Sequence, residues 1–180
     1  PKEPYRLVMG GCGSDMDFYE MKGAIENILD KLHIKKEVSF AAGGEPFYHP
    51  GRCARVLIDG NEIGQLGEIH PDVQKNFEIS GRTYIAEIDI DALMSYEESK
   101  IRFAKIPKFP AIERDIAVVV DKNVEAGMIL KTIMDNGGEF IESAELFDVY
   151  EGDRIETGKK SIAYALSFRS DAKTLTDDEI

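Results

Sequence analysis

Few residues in this chain of 180 have the type and spacing that chemistry requires. Gly10-Gly11-Cys12-Gly13 follows the apolar Leu7-Val8-Met9 and precedes a helical pattern. In that context backbone N–H groups can cradle a phosphate. The dinucleotide-binding spacing fails at Met16, and no lysine follows to reach a phosphate. The segment therefore reads as a tight strand-to-helix turn. Gly152 and Gly158-Lys159-Lys160-Ser161 come close to a P-loop, but five residues separate the glycines, Lys160 takes the place of the hydroxyl residue, and a strand follows. Cys12, His49, Cys53 and His70 could in principle form a Cys₂His₂ zinc site, yet no pair has the close spacing of structural zinc ligands. Both cysteines read as reduced packing residues without metal. His49-Pro50-Gly51-Arg52 and Glu68-Ile69-His70-Pro71 read as rigid turns at strand ends, with His70-Pro71-Asp72 opening a short helix. Asp89 and Asp91 are paired carboxylates expected on a surface strand facing solvent. No Ser, His and Asp are spaced to suggest a nucleophile. The residues themselves show no catalytic group.

Charge narrows the partners. Against 22 Lys and Arg stand 34 Asp and Glu, a net of −12, which argues against broad non-specific nucleic-acid binding while leaving room for a local site. Residues 1–99 carry 10 basic and 18 acidic side chains, and residues 100–180 carry 12 and 16. Within the second part, Lys100, Arg102, Lys105, Lys108 and Arg114 are opposed only by Glu113. A second basic stretch, 152–173, sets Arg154, Lys159, Lys160, Arg169 and Lys173 against Asp153, Glu156 and Asp171. No apolar run approaches the ~20 residues a bilayer span needs. No basic-plus-apolar leader opens the chain, and two cysteines suit a reducing compartment. The expectation is a cytoplasmic protein with no membrane or DNA partner.

The elements that must position these residues fall into two groups. From Asp17 to Leu32, Phe18, Met21, Ile25, Ile28, Leu29 and Leu32 make one apolar helical stripe. Ala54–Asp59 and Glu62–Ile69 flank the hairpin signal Asp59-Gly60-Asn61, and Arg82–Ile90 alternates as a strand. Two prolines and several charges over 97–110 mark a linker between residues 1–96 and 111–180. After it come Ile116–Val120, read as a buried strand, a helix over Ala126–Asp135 ended by Gly137-Gly138, strands Ser143–Tyr150 and Ser161–Phe168, and a helix start at Thr176. This β-α-β-β-α order predicts a ferredoxin-like split βαβ lacking its last strand. Ile162, Tyr164, Leu166 and Phe168 should face helices, leaving Ser161, Ala163, Ala165 and Ser167 on an open, small-residue face ending in Arg169. The fold class is α+β. The chain opens at Pro1 and closes in Thr176-Asp177-Asp178-Glu179-Ile180, where Thr176 and Glu179 have capping-box spacing, so it reads as a fragment of a longer protein.

Several segments, in order, resemble a known family. Asp17-Phe18-Tyr19-Glu20-Met21-Lys22-Gly23, His49-Pro50-Gly51-Arg52 and Leu66-Gly67-Glu68-Ile69-His70-Pro71 are similar to the C-terminal half of the catalytic-like module of the β subunits of bacterial phenylalanine–tRNA ligases. Phe109-Pro110-Ala111-Ile112-Glu113-Arg114-Asp115-Ile116-Ala117 resembles the start of their ferredoxin-fold anticodon-binding domain. Glu145–Tyr150, Gly158–Ser161 and Thr174–Asp177 continue the match. The resemblance implies the C-terminal part of a class II synthetase-like antiparallel module without its active site (1–96), then a ferredoxin-like anticodon-binding domain cut short at its C-terminus (111–180). It implies an α₂β₂ assembly whose α subunit carries activation and transfer, with tRNA(Phe) as partner. ATP and Mg²⁺ belong to the holoenzyme, with no cofactor in this fragment, and editing lies upstream. The fragment alone is expected to be inactive.

The expected contribution is tRNA binding and subunit packing, with RNA held mainly through phosphates by Arg114, Lys159, Lys160, Arg169, Lys105 and Lys108. Aromatic base stacking is not expected on the third strand, whose open face carries only Ser and Ala. The other reading is a protein-interaction module whose ferredoxin-like sheet pairs with another chain without RNA.

Overall fold

The protein is described here from a computed structural model, which covers residues 3–34, 36–96 and 105–180. It divides into two compact units, Pro1–Arg102 and Phe103–Ile180. Most of the sequence-defined linker, 97–104, lies outside the described residues, with Lys100 and Arg102 in it.

The first unit is an antiparallel sheet of β1 (Arg6–Cys12), β2 (Val38–Ala42), β3 (Tyr48–Ile58), β4 (Asn61–Ile69) and β5 (Thr83–Asp89), in the order β1-β5-β4-β3-β2. Helix α1 (Phe18–Lys31) covers one face. It starts where Asp17 accepts a hydrogen bond from the Glu20 N–H at 2.8 Å. Its Met21, Ile25 and Leu29 are buried against Ala54, Val56, Leu66, Tyr84, Ala86 and Ile88, which the strand register places on the same side. The β3–β4 hairpin turns at Asp59 and Gly60, both with positive φ as the Asp-Gly signal requires. Short helices α2 (Pro71–Asn76) and α3 (Ile90–Met94) flank β5. The α2 start follows the sequence: Nδ1 of His70 accepts from the Asp72 N–H at 3.2 Å.

Four readings are corrected. Gly10, Gly11 and Cys12 are strand residues of β1 paired with β5, and only Gly13 and its successors turn the chain. Glycine suits position 11 because the Met16 side chain lies across it. His49-Pro50-Gly51-Arg52 is inside β3, at the register shift between Tyr48 and Cys53, where an unpaired proline N costs no ladder bond. Cys12 is exposed rather than packed, whereas Cys53 is half-buried and burial pushes its thiol pKa up. Asp89 ends β5 by capping α3, accepting from the Ala92 N–H at 2.9 Å, and Asp91 lies in that helix. Strand β2 was not read from the sequence at all.

The second unit contains β6 (Ile112–Asp121), α4 (Ala126–Asn136), β7 (Ile141–Tyr150) and β8 (Lys159–Phe168). The strand order β6-β8-β7, with β8 antiparallel to both neighbours, is the split βαβ. Ile162, Tyr164, Leu166, Phe168 and Leu175 form the core beneath Ile129, Leu130 and Ile133 of α4. The fully buried Tyr164 donates from its hydroxyl to the Ala126 carbonyl at 2.8 Å, pinning the start of α4. Strand β6 is not buried on both faces as expected. In an antiparallel sheet with one open face its residues alternate, and Val119 is 57% exposed. At the end of the described chain Thr176 and Glu179 form the expected capping box around a 3-10 turn, Asp177–Glu179.

Candidate nucleic-acid interface

In the first unit the reactive-looking side chains are dispersed by the sheet. Cys12 on β1 and Cys53 on β3 have β5 and β4 between them, about 14 Å at ordinary strand spacing, too far to share one metal ion. Nδ1 of His49 accepts from the Gly51 N–H at 3.1 Å, and that of His70 serves α2. Among the described residues the buried carboxylate is Glu68, which takes Arg52 Nη1 at 2.8 Å, the Tyr84 hydroxyl at 3.4 Å and Arg82 Nε at 3.9 Å. It closes the end of the core with its charge compensated. A depression of about 580 Å³ lies beside Gly13, Met16, Asp17 and Arg82. At the α1 start beside it, the Asp17 carboxylate already takes the Glu20 N–H and brings a negative charge to the place an anion would occupy. Among the described residues no group of three or more candidate metal ligands meets.

The second unit presents an uncovered sheet face. Register places Glu113, Asp115, Ala117, Val119 and Asp121 of β6 beside Ser167, Ala165, Ala163, Ser161 and Lys159 of β8. On the far side of β8 lie Ser143, Glu145, Asp148 and Tyr150 of β7. The floor is small, as the sequence implied, but carboxylates of both neighbouring strands flank it. Five acids share this face with a single lysine.

The sequence-nominated cations sit at two ends of this sheet. Lys159 and Lys160 open β8. Lys159 pairs with Glu156 at 2.7 Å, a bond that raises its own pKa and lowers that of Glu156. Lys122 joins them: its N–H donates to the Gly158 carbonyl at 2.9 Å, and its ammonium holds Glu151 at 2.7 Å. That hydrogen bond keeps the Glu151 carboxyl below its usual range, with Lys160 adding to the effect. At the other end are Arg114, Arg169, and the exposed Lys105 and Lys108. Arg114 donates to the Glu113 carbonyl at 2.9 Å and is ion-paired with Asp177. Arg169 is hydrogen-bonded to Glu142 at 2.8 Å and to the Phe109 carbonyl at 3.2 Å. Ten residues of β8 separate the ends, roughly 30 Å, so no single phosphate spans both.

Two aromatic residues were overlooked. Phe147 and Tyr150 are 56% and 41% exposed on β7. Strict alternation would put Tyr150 on the helix side with Leu146. A register shift between Leu146 and Asp148 inserts Phe147 as an extra residue and switches Asp148 and Tyr150 to the open face. Tyr150 then stands beside Ser161, two residues from Lys159, its ring lying along Gly152. The signal was the adjacent apolar pair Leu146-Phe147, which interrupts the two-residue period of the strand.

The two units are thus a helix-backed antiparallel sheet and a ferredoxin-like split βαβ sheet. Comparison with known families agrees. Residues 1–90 match the phenylalanyl tRNA synthetase beta chain CLM domain, and residues 107–180 match the ferredoxin-fold anticodon binding domain. The chain belongs to the phenylalanyl-tRNA synthetase beta chain family. It is 41% identical over 181 residues to the phenylalanine–tRNA ligase beta subunit of Clostridium acetobutylicum, covering 100% of this chain and 23% of that protein. The Halalkalibacterium halodurans beta subunit is 41% identical and the Bacillus subtilis one 39%, each over 165 residues, 92% of this chain and 20% of theirs. The chain thus spans about a fifth of its relatives.

Proposed function

We propose that these residues supply tRNA(Phe) contact and subunit packing to a phenylalanine–tRNA ligase, as part of a β subunit that works with an α subunit in a cytoplasmic α₂β₂ enzyme. ATP and Mg²⁺ act elsewhere in that holoenzyme, and the chain by itself does not activate phenylalanine. The observation that carries the reading is the exposed Tyr150 on the same face as Lys159, with Lys160 and Lys122 at the same end of an otherwise acidic sheet. A strongly acidic face repels phosphate, so it directs RNA away from the floor and toward the cationic ends. At the Lys159 end a base can stack on Tyr150 while Lys160 holds its phosphates together with Lys159 and Lys122, whose carboxylate partners Glu156 and Glu151 are exchanged for phosphate. Lys105 and Lys108 offer a second backbone contact at the other end, where Arg114 and Arg169 also lie.

The test is made in the complete ligase. Lys159→Ala/Lys160→Ala should raise the KM for tRNA and lower the salt slope of tRNA affinity by about 1.4, the loss of two single-strand phosphate contacts. Tyr150→Ala should weaken tRNA about tenfold or more, the value of one base stack. Unchanged affinity and slope in both variants would remove this end from the RNA path and leave the interaction-module reading.

A further inference from the structure

Arg169 has the chemistry of a phosphate ligand, but the structure uses it differently. It is the first residue beyond β8, and it ties together three stretches of the second unit. Its N–H donates to the Phe140 carbonyl at 2.8 Å, just before β7. Its Nε donates to Glu142 Oε2 at 2.8 Å, inside β7. Its Nη1 donates to the Phe109 carbonyl at 3.2 Å. The side chain is only 26% exposed. A guanidinium offers its donors in one rigid plane, so with Nε held by a carboxylate and Nη1 by a carbonyl its orientation is set by the fold.

The third of these bonds concerns the segment leading into the domain. Residues 105–110 belong to no helix or strand. Phe109 precedes Pro110, which confines it to extended backbone and fixes where its carbonyl points. Just ahead of it stand Lys105 and Lys108, both exposed.

We propose that Arg169 is a positioning residue: with Glu142 it fastens the lead-in segment to the sheet, so that Lys105 and Lys108 are presented to the RNA backbone, and it does not grip the RNA itself. The proposal rests on the tRNA-binding reading above. It makes an acidic residue, Glu142, favourable to the binding of an anion, which is what separates it from direct phosphate contact.

The experiment uses the complete ligase with Glu142→Gln, Arg169→Lys, Arg169→Ala and the Arg169→Ala/Glu142→Gln double variant, beside Lys159→Ala/Lys160→Ala. Affinity for tRNA(Phe) is measured across salt, with kcat, KM for tRNA and phenylalanine-dependent pyrophosphate exchange. The isosteric Glu142→Gln should weaken tRNA binding by about three- to tenfold, between the contributions of an exposed ion pair and a charge-assisted hydrogen bond. The loss should appear in the KM for tRNA, with kcat and pyrophosphate exchange unchanged. Hydrogen exchange should quicken at residues 105–111 and not in β8. Arg169→Lys, which keeps the charge and loses the fork, should fall with Arg169→Ala, and the double variant should be no worse than the worse single one. Tighter tRNA binding by Glu142→Gln, together with a slope lower by about 0.7 in Arg169→Ala, would mean that Arg169 touches a phosphate and would overturn the proposal. Unchanged tRNA affinity in every Arg169 and Glu142 variant, while Lys159→Ala/Lys160→Ala still weakens binding, would also overturn it and leave the RNA site standing. If the lysine pair has no effect either, both readings fall.

Discussion

Replacing Gly67 by alanine tests the reasoning on which the first unit rests. Gly67 lies within Leu66-Gly67-Glu68-Ile69-His70-Pro71 and pairs with Cys53 next to the β3 register shift. A Cβ added there would lie 2.6 Å from Cys53 Cβ, 2.7 Å from the Arg52 carbonyl oxygen and 2.8 Å from Cys53 Cα. Ordinary carbon–carbon contact needs about 3.5 Å, so β3 must retreat by most of an ångström, and its backbone has no rotamer with which to yield. Overpacking costs about 1–3 kcal/mol, and a clash with backbone falls at the upper end, about 3 kcal/mol. For a unit of this size, 1 kcal/mol shifts Tm by about 4–8 °C, so Gly67→Ala should lower the unfolding temperature of the first unit by 10 °C or more. The strand displacement should also loosen the bond of Arg52 to Glu68, which issues from the same bulge. Differential scanning calorimetry reads the transition. Gly23→Ala in mid-α1 is the companion measurement, because a Cβ there meets nothing within 4 Å. It should raise stability by about 0.5–1 kcal/mol through helix propensity and lost unfolded-state freedom. A Gly67→Ala protein that melts within 2 °C of wild type would refute the view that this glycine is required by strand approach.

Two further outcomes follow from burial. Burial raises the Tyr164 pKa, so its neutral phenol is favoured in the folded protein. That stability is fully present below the unfolded tyrosine value near 10 and is lost as pH rises above it toward the folded value. Tyr164→Phe should therefore cost about 1 kcal/mol at neutral pH, for the bond to the Ala126 carbonyl, and should reduce the alkaline decline in chemical-denaturation stability; an unchanged slope would exclude Tyr164 as its source. Thiol titration should modify the exposed Cys12 far faster than Cys53, whose thiol is half-buried with a raised pKa, and equal rates would contradict the placement of β1 at the sheet edge.

The parts of the fold that were legible in the sequence are those with local causes. The α1 stripe, the His70-Pro71-Asp72 entry to α2 and the Asp59-Gly60 turn each depend on residues within a few positions, and the structure contains all three. Strand β2 escaped notice because its five residues mix Ser and Ala with Val and Phe and acquire a pattern only by pairing with β3. Gly10-Gly11 suggested a turn because glycine usually marks one, whereas here Met16 fills the space above the strand. The partners of the arginines were illegible for a plainer reason. Asp177 lies 63 positions from Arg114, and Phe109 lies 60 from Arg169. Counting cations along the chain finds charge but cannot show that it is already spent within the fold.

The open face shows the same principle at the level of function. Along β8 the alternation of small residues is visible in the sequence and correctly marks a flat floor. The sign of its potential is set by Glu113, Asp115 and Asp121 from one neighbour and Glu145 and Asp148 from the other. Three of these five depend only on β6 pairing with β8. Asp148 depends in addition on the extra residue at Phe147, without which it would turn inward and Tyr150 with it. One bulge thus places a carboxylate over the floor and an aromatic ring at its lysine end. A basic floor would bind RNA anywhere along the sheet. An acidic floor with cations confined to its ends restricts phosphate to those ends, about 30 Å apart. The overall net charge of −12 is therefore compatible with the proposed RNA contact, because acidic surface narrows where a phosphate can settle.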